Sequence, residues 1–132
     1  MKRYLLDTHV LIWALTRRSK LKPHTLRILQ QEEIHVSALT FWEILTKRNT
    51  GKLQWPLAGE SLCAMVQHAG AKLLPLHAEH VESGLALDLL HTDPIDRMLV
   101  GTARIEGMIL LTRDAEILQR AKPLLGPLLM EA

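Results

Sequence analysis

Four short apolar runs stand out along the chain as candidate buried strands, each bounded by a turn or a helix-capping residue. They cover Arg3–Leu6, Ile34–Val36, Lys72–Leu74 and Met108–Leu111. Segments in which apolar residues recur at helical spacing separate these runs. Strands that alternate with helices are typical of a mostly parallel sheet covered by helices. The pattern therefore predicts an α/β fold.

Residues that begin and end helices locate the segments between the strands. Ser37 and Asp93 are good N-caps, and Gly107 is a good terminator. The predicted helices cover Thr8–Leu15, Pro23–Gln31, the segment from Ser37 to about Arg48, Pro56–Gly70, Ala78–Leu90, the segment from Asp93 to Gly107, and Asp114–Arg120. The apolar tail, residues 124–130, is expected to form an edge strand or to pack at a partner interface.

The length and composition indicate one globular domain over residues 1–132. With 48% hydrophobic and 23% charged residues, the chain has enough apolar surface for a core and is unlike a disordered segment. The single cysteine, Cys63, excludes an internal disulfide and a cysteine-based zinc site. Because no apolar run approaches the roughly 18 residues of a membrane-spanning helix, we expect a cytoplasmic protein with no membrane partner.

Four acidic residues lie where the carboxyl ends of the predicted strands meet. Asp7 follows the first predicted strand directly, and Asp114 comes three residues after the last of the four predicted strands. Glu43 lies in the helix after the second strand, and Asp96 lies in the first turn of a later helix. Ligands bind at this edge of parallel α/β sheets. The four carboxylates therefore converge if the strands that bear Asp7 and Asp114 are neighbours.

Each of these acids also has an ordinary structural explanation. Asp7 and Asp114 suit helix N-caps, and Asp96 complements a helix dipole. Glu43 is placed to pair with Lys47, four residues further along the helix. If instead the carboxylates converge, their mutual repulsion requires a cation. An all-oxygen, thiol-free ligand set suits Mg²⁺ or Mn²⁺.

Four segments that contain these acids follow one another in a fixed order. They are Asp7–Trp13, Ser37 with Trp42–Ile44, Asp93–Val100 and Leu111–Asp114. Together they resemble the ordered motifs of PIN-domain ribonucleases, and in particular those of the VapC toxins of prokaryotic toxin–antitoxin pairs. The resemblance covers about residues 2–122. It departs at Ile95, where Phe is frequent, and at Gly101, where Ala is frequent, and both changes are expected to affect packing more than chemistry.

The resemblance implies a three-layer α/β/α PIN-like fold with a short, mostly parallel central sheet. It implies that Asp7, Glu43, Asp96 and Asp114 are the catalytic residues and bind one or two Mg²⁺ or Mn²⁺ ions. The implied activity is endonucleolytic cleavage of RNA by metal-activated water. The implied partners are the RNA substrate, a cognate antitoxin and a second copy of the chain in a homodimer.

Positive charge is concentrated in the first part of the chain. Residues 1–55 hold 10 Lys and Arg against 4 Asp and Glu, whereas residues 56–132 hold 6 against 10. A basic flank beside acidic residues suits a polyanion held near a metal, and a solvated surface of mixed sign is the alternative. The candidate RNA-binding residues are Arg17, Arg18, Lys47, Arg48, Lys52, Arg97 and Arg113.

Two other residue types have both a chemical and a structural interpretation. Trp13, Trp42 and Trp55 are candidates for stacking on bases or for ordinary core packing. His77 and His80 have a helical ligand spacing without an evident third ligand, which favours a surface or capping role.

Three other functions compete with a metal-dependent ribonuclease. A PIN fold that binds RNA or a partner without cleavage is disfavoured, because all four acids of the motifs are present. A phosphatase-like phosphoryl-transfer enzyme also begins with a strand and an Asp, but His9 stands where that family has its second Asp. A receiver-like signalling domain would need a phospho-acceptor Asp at the end of a middle strand, and none is evident.

Overall fold

Five parallel strands form one central sheet in the computed structural model of the protein, which describes residues 1–54, 59–87 and 93–132. The strands are β1 (Arg3–Leu6), β2 (Glu33–Ser37), β3 (Lys72–Leu74), β4 (Ile109–Thr112) and β5 (Leu129–Glu131). Their order across the sheet is β3–β2–β1–β4–β5. β1 is therefore central, with Leu5 in register with His35 on one side and with Leu110 on the other.

Eight α-helices connect and cover these strands in the described part of the chain. They are α1 (Thr8–Thr16), α2 (Pro23–Gln31), α3 (Ala38–Asn49), α4 (Leu62–His68), α5 (Ala78–Leu85), α6 (Pro94–Glu106), α7 (Ala115–Arg120) and α8 (Lys122–Leu125). The predicted alternation of strands and helices is confirmed, and every neighbouring strand pair is parallel. None of the helices within the described ranges has the length and apolar content needed to cross a bilayer.

The sheet separates two hydrophobic cores because successive side chains of a strand point to opposite faces. Tyr4 and Leu6 pack on one face with residues of α1, α3 and α4. Leu5, which lies between them, packs on the other face with residues of α6 and α7. Burial on both faces explains why the strands appear in the sequence as continuous apolar runs. The arrangement is the expected three-layer α/β/α fold.

A close contact between α5 and α6 explains one departure from the family motifs. A Cβ atom added at Gly101 would lie 2.5 Å from the backbone nitrogen of Gly84. A Cβ atom added at Gly84 would in turn lie 2.5 Å from the Cα atom of Met98. Only hydrogen atoms fit between the two backbones, so Ala at position 101 would force α5 and α6 apart.

The helix predicted over Pro56–Gly70 has the wrong start. It begins at Leu62, after Ser61, whose hydroxyl accepts a hydrogen bond from the backbone N–H of Ala64 at 3.3 Å. Gly59 has a φ of +87°, which lies outside the helical region and prevents the helix from extending back through it. Residues 55–58, which include Trp55, lie outside the described part of the chain.

The helix predicted over Ala78–Leu90 ends earlier than expected. Its last residue is Leu85, and Leu87 then packs into the core formed with α6 and α7. Residues 88–92 lie outside the described part of the chain.

The C-terminal tail forms an edge strand, which is one of the two roles predicted for it. β5 pairs with β4, and Leu129 is in register with Leu110. Beyond the strand, the backbone N–H of Ala132 donates to the carbonyl of Thr112 at 2.8 Å. The apolar residues of the tail are thereby partly buried on the sheet.

Candidate active site

Asp7 lies at the carboxyl end of β1 and is the N-cap of α1. The residue is only 4% exposed. Its Oδ1 accepts from the backbone N–H of Thr8, and its Oδ2 accepts from the hydroxyl of Thr112, both at 2.7 Å. Burial raises the pKa of the Asp7 carboxyl; the hydrogen bonds from Thr112 and Thr8 and the nearby His9 oppose this rise, and Glu43 adds to it.

Thr112, the last residue of β4, joins Asp7 to Asp114. Its hydroxyl donates to Asp7 and also accepts from the backbone N–H of Asp114 at 3.0 Å. The link forms because β1 and β4 are neighbours in the sheet, which is the condition required for convergence of the acids. Asp114 is the N-cap of α7, and its Oδ1 accepts from the backbone N–H groups of Glu116 and Ile117 at 2.9 and 3.0 Å.

Glu43 reaches the same region from α3. The residue is 9% exposed, and its Oε1 accepts from the hydroxyl of Thr8. Its Oε2 accepts from the ammonium group of Lys47 at 3.0 Å, so the predicted pair four residues apart is present. Lys47 therefore offsets the charge of Glu43 on the solvent side.

Asp96 lies in the first turn of α6, three residues after the N-cap Asp93. Burial, followed by the negative charges of Asp93, Asp7, Asp114 and Glu43, raises the pKa of Asp96 to about 8. The structure thus brings the four predicted acids within electrostatic reach of one another. Asp93 joins them as a fifth carboxylate, although its Oδ1 is engaged in capping α6.

The donor set at this edge suits a hard divalent cation, since carboxylate and hydroxyl oxygens predominate. Within residues 1–54, 59–87 and 93–132, no three His, Cys, Asp or Glu side chains surround one common position. The carboxylate oxygens are instead turned toward threonine hydroxyls, Lys47 and backbone N–H groups. This orientation is expected where like charges repel. The residues fit a cation in charge and donor type, because a cation would relieve the repulsion on Asp96.

Sequence reasoning assigned no role to Thr112, although it lies within the last motif. It is fully buried and its hydroxyl bonds with two of the acids. The signal that could have identified Thr112 from the sequence is its position as a polar residue at the end of an otherwise apolar strand. For Thr8, the sequence offers two roles, a hydroxyl in a metal shell and a helix cap, with the cap favoured; in the structure its hydroxyl donates to Glu43.

The candidate RNA-binding residues have different surroundings. Arg113 follows Thr112 directly at the edge of the acidic cluster. Arg97 is turned away from this edge, and its guanidinium donates to the carbonyl of Leu85 at the end of α5. Four other residues of the predicted set are exposed, namely Arg17, Arg18, Arg48 and Lys52.

His77 and His80 form a helix cap, as predicted. The Nδ1 atom of His80 accepts from the backbone N–H of His77 at 3.0 Å. Its Nε2 atom must therefore carry the proton, and it donates to Oε1 of Glu106 at 2.9 Å. Both ring nitrogens of His80 thus form hydrogen bonds within the protein.

An apolar groove of about 510 Å³ lies beside the acidic cluster. Trp42, which precedes Glu43 in α3, is 60% exposed at this groove. The residues that line the groove are Ala38, Leu39, Trp42, Leu76, Pro94, Ile95 and Met98.

Trp13, another of the predicted stacking residues, is partly buried against the core of α1, α3 and α4.

Comparison with known families identifies the fold. The model of the PIN domain family matches residues 4–123. Since this match spans most of the chain, the protein belongs to the PIN domain family. A search of curated proteins found no match.

Solved structures with a similar fold come from toxin–antitoxin complexes. A chain of a toxin–antitoxin complex from Klebsiella pneumoniae is 16% identical, with a TM-score of 0.63 over 96% of this chain and 95% of that chain. A chain of a DNA-bound VapBC from Salmonella typhimurium is 19% identical, with a TM-score of 0.63 over 99% and 98%. A chain of VapBC2 from Rickettsia felis, bound to a DNA fragment from its promoter, is 14% identical, with a TM-score of 0.61 over 98% and 97%. At these identities, the likeness shows a shared fold.

Proposed function

We propose that the protein is a metal-dependent endoribonuclease and the toxin of a VapC-type toxin–antitoxin pair. The observation that carries the proposal is the placement of Asp7, Glu43, Asp96 and Asp114 at one sheet edge, where Thr112 bonds to Asp7 and to the backbone of Asp114 and Thr8 bonds to Glu43. Burial and the neighbouring carboxylates raise the pKa of Asp96, in keeping with this placement. Such perturbed groups mark functional sites, since a cluster of repelling acids does not favour folding. In a PIN domain, this cluster is suited to hold the cation that activates water.

Asp7, Glu43, Asp96 and Asp114 would hold one or two Mg²⁺ or Mn²⁺ ions. When bound, the cation supplies activation of water and stabilisation of negative charge on the phosphate. Thr112 orients Asp7 through its bond to Oδ2, and Thr8 orients Glu43 through its bond to Oε1. The two hydroxyls thereby restrict both carboxylates to the carboxyl edge of the sheet.

The protonation state of Asp96 is part of this proposal. Burial and the neighbouring carboxylates raise the pKa of Asp96, which favours the protonated carboxyl group when no cation is present. Ligation requires the charged carboxylate, so Asp96 must release this proton when the cation binds. Lys47 limits the charge that Glu43 adds to the cluster, because it pairs with Oε2.

The exposed basic residues would bind the RNA backbone around this site. Arg17, Arg18, Arg48 and Lys52 are exposed and free to meet phosphate groups. Lys47 and Arg97, which have partners within the protein, belong to the same predicted set. Replacing the four exposed residues by Ala should weaken RNA binding and reduce its dependence on salt.

A cognate antitoxin would inhibit the site. This part of the proposal is supported by structural neighbours that are toxin–antitoxin complexes. The apolar groove beside Trp42 offers an antitoxin segment a surface adjacent to Glu43 and Asp96. The family resemblance also supports a homodimer, which sedimentation of the purified chain would detect.

RNA cleavage with and without EDTA tests the proposed activity. The purified chain should cut a mixed single-stranded RNA in Mg²⁺ or Mn²⁺, and EDTA should stop it. Asp7→Asn should be inactive while it retains the circular dichroism spectrum of the wild type. RNA that is bound but not cut by the wild type would favour a PIN fold that only binds. Cleavage that continues in EDTA and in Asp7→Asn would exclude the proposed site.

A further inference from the structure

Two cations are held over one aromatic ring at the edge of the acidic cluster. The Cζ atom of Arg113 lies 5.0 Å from the centroid of the Trp13 ring, and the Nζ atom of Lys20 lies 5.4 Å from it. Nη1 of Arg113 also donates to the carbonyl of Lys20 at 3.0 Å. The His9 ring, one turn before Trp13 on α1, lies 6.4 Å from it. We call Trp13, Lys20 and Arg113 the cation platform.

The backbone ties this platform directly to the acids. Arg113 lies between Thr112, which donates to Asp7, and Asp114, which acts on Asp96. Trp13 belongs to α1, which Asp7 caps. Arg113 therefore begins at the same edge of the sheet as the acids, where its positive charge also acts on Glu131, the last residue of β5.

We propose that the cation platform binds the RNA phosphate next to the one that is cleaved. This inference rests on the proposed ribonuclease function. Acids that do not contact the cation repel the adjoining phosphates of the strand, so a strand that enters the site needs positive charge immediately beside it. Arg113 and Lys20 supply this charge, and a guanidinium can bind a phosphate through two parallel N–H groups.

Trp13 acts in this proposal as a positioning residue. The indole face attracts cations, and it restricts two long, exposed side chains that would otherwise move freely. The bond from Arg113 to the Lys20 carbonyl restricts the guanidinium further. Arg17, Arg18 and Lys22 lie beside Lys20 in one basic cluster of the sequence, and no ring contact of this kind is seen for them in the described residues. Position as well as charge should therefore distinguish the platform from the rest of that cluster.

Binding of RNA without cleavage tests the platform. The background is the full chain with Asp7→Asn and Asp96→Asn, which prevents cleavage and removes two repelling charges. The probe is a fluorescently labelled, 12-nucleotide single-stranded RNA, whose anisotropy is measured in EDTA over a range of KCl concentrations. Into this background we would introduce Arg113→Gln, Lys20→Gln, Trp13→Leu and Trp13→Phe. Arg104→Gln is the matched control, since Arg104 is exposed at the opposite end of α6 from Asp96.

Arg113→Gln and Lys20→Gln should each weaken binding by about 5- to 10-fold and reduce the salt slope by about 0.7, the value for one contact with a single strand. Arg104→Gln should stay within about twofold of the background. Trp13→Leu should weaken binding although it leaves the net charge unchanged, and Trp13→Phe should retain most of it. Because Trp13 packs partly against the core, a thermal melt of each variant checks its folding.

The outcomes separate this inference from the proposed function. If Arg113→Gln and Lys20→Gln match Arg104→Gln while the wild type cleaves RNA, the platform is wrong and the ribonuclease stands. If the wild type does not cleave RNA but these variants lose binding selectively, the ribonuclease proposal is wrong, and the platform is a phosphate contact of RNA binding with no cleaved phosphate beside it. Equal binding by folded Trp13→Leu and the background would overturn the positioning role of Trp13.

Discussion

Two buried polar clusters of this protein differ in how their charges are compensated. Between α5 and α6, His80 is 1% exposed, and both of its ring nitrogens have hydrogen-bond partners. At the carboxyl edge of the sheet, burial and then the charges of four neighbouring carboxylates raise the pKa of Asp96 to about 8. The first cluster satisfies its polar groups, whereas the second concentrates groups that repel one another.

This difference separates a cluster that supports the fold from one that we propose is retained for chemistry. A buried polar group with all its partners stabilises the folded state, and removal of a partner is costly. A group of like charges destabilises the folded state until a ligand neutralises it. Substitutions should therefore have opposite consequences in the two clusters. Those at His80 should reduce stability, and those at Asp96 should reduce activity and increase stability.

The largest expected effect is on cleavage by Asp96→Asn. Activity should fall by more than about a hundredfold, because even groups that only orient metal ligands contribute about 10- to 100-fold. Asp93→Asn is the matched control, since Asn caps a helix about as well as Asp. It should retain most of the activity. The measurement is single-turnover RNA cleavage with variants whose folding is checked by circular dichroism.

An inverted result would reassign the acids of α6. If Asp93→Asn were inactive and Asp96→Asn cleaved normally, Asp93 would be the ligand and Asp96 a bystander. If Asp7→Asn and Asp96→Asn both cleaved normally, the nuclease site would lie elsewhere.

The next effect is expected on stability, in the cluster of His80 and Glu106 between α5 and α6. His80→Ala should lower the free energy of unfolding by about 2–4 kcal/mol, because it removes a packed ring, a helix cap and the partner of Glu106. Glu106→Gln keeps a hydrogen-bond acceptor for His80 and should therefore lower the free energy of unfolding by less than His80→Ala does. Urea denaturation measures both. Loss of cleavage by the folded fraction of His80→Ala would show that the two clusters are coupled.

A smaller effect is expected from the cation on thermal stability. Mg²⁺ or Mn²⁺ at a hundredfold excess over its Kd should raise the Tm of the wild type by roughly 10 °C. The double variant Asp7→Asn, Asp96→Asn should melt higher than the wild type in EDTA and respond little to the metal. Differential scanning fluorimetry measures both quantities. Equal shifts in the two proteins would contradict a shared site at these acids.

A further effect is expected on the pH dependence of the metal-free protein. Because the folded-state pKa of Asp96 is about 8 and its ordinary value is 3.8, the folded chain holds more protons than the unfolded chain between these values. Stability in EDTA should therefore fall as pH rises from about 4 to about 8. Asp96→Asn should lack this contribution, so the Tm difference between variant and wild type should widen over that range. Parallel profiles would show that the repulsion is relieved in another way.

Much of this architecture was predictable because its signals are local. β1 and β3 have the predicted bounds, and so does α2, which begins at Pro23. The N-caps at Ser37, Asp93 and Asp114 bond to backbone N–H groups only two or three residues away. A short polar side chain placed before an amphipathic segment contains the information for such a bond. The start of α4 was mispredicted because Gly59 interrupts a segment of otherwise acceptable helical composition.

The sequence by itself determined the elements, the identity of the acids and their positions at strand and helix ends, because these depend on neighbours along the chain. Only the tertiary structure decided that β1 lies between β2 and β4, which places Thr112 against Asp7 across 105 positions. It also decided that Arg113 lies over Trp13 and that α5 contacts α6 at Gly84. Contacts of this kind depend on strand order and helix packing, whose energies come from distant surfaces and leave no periodic signal in the sequence.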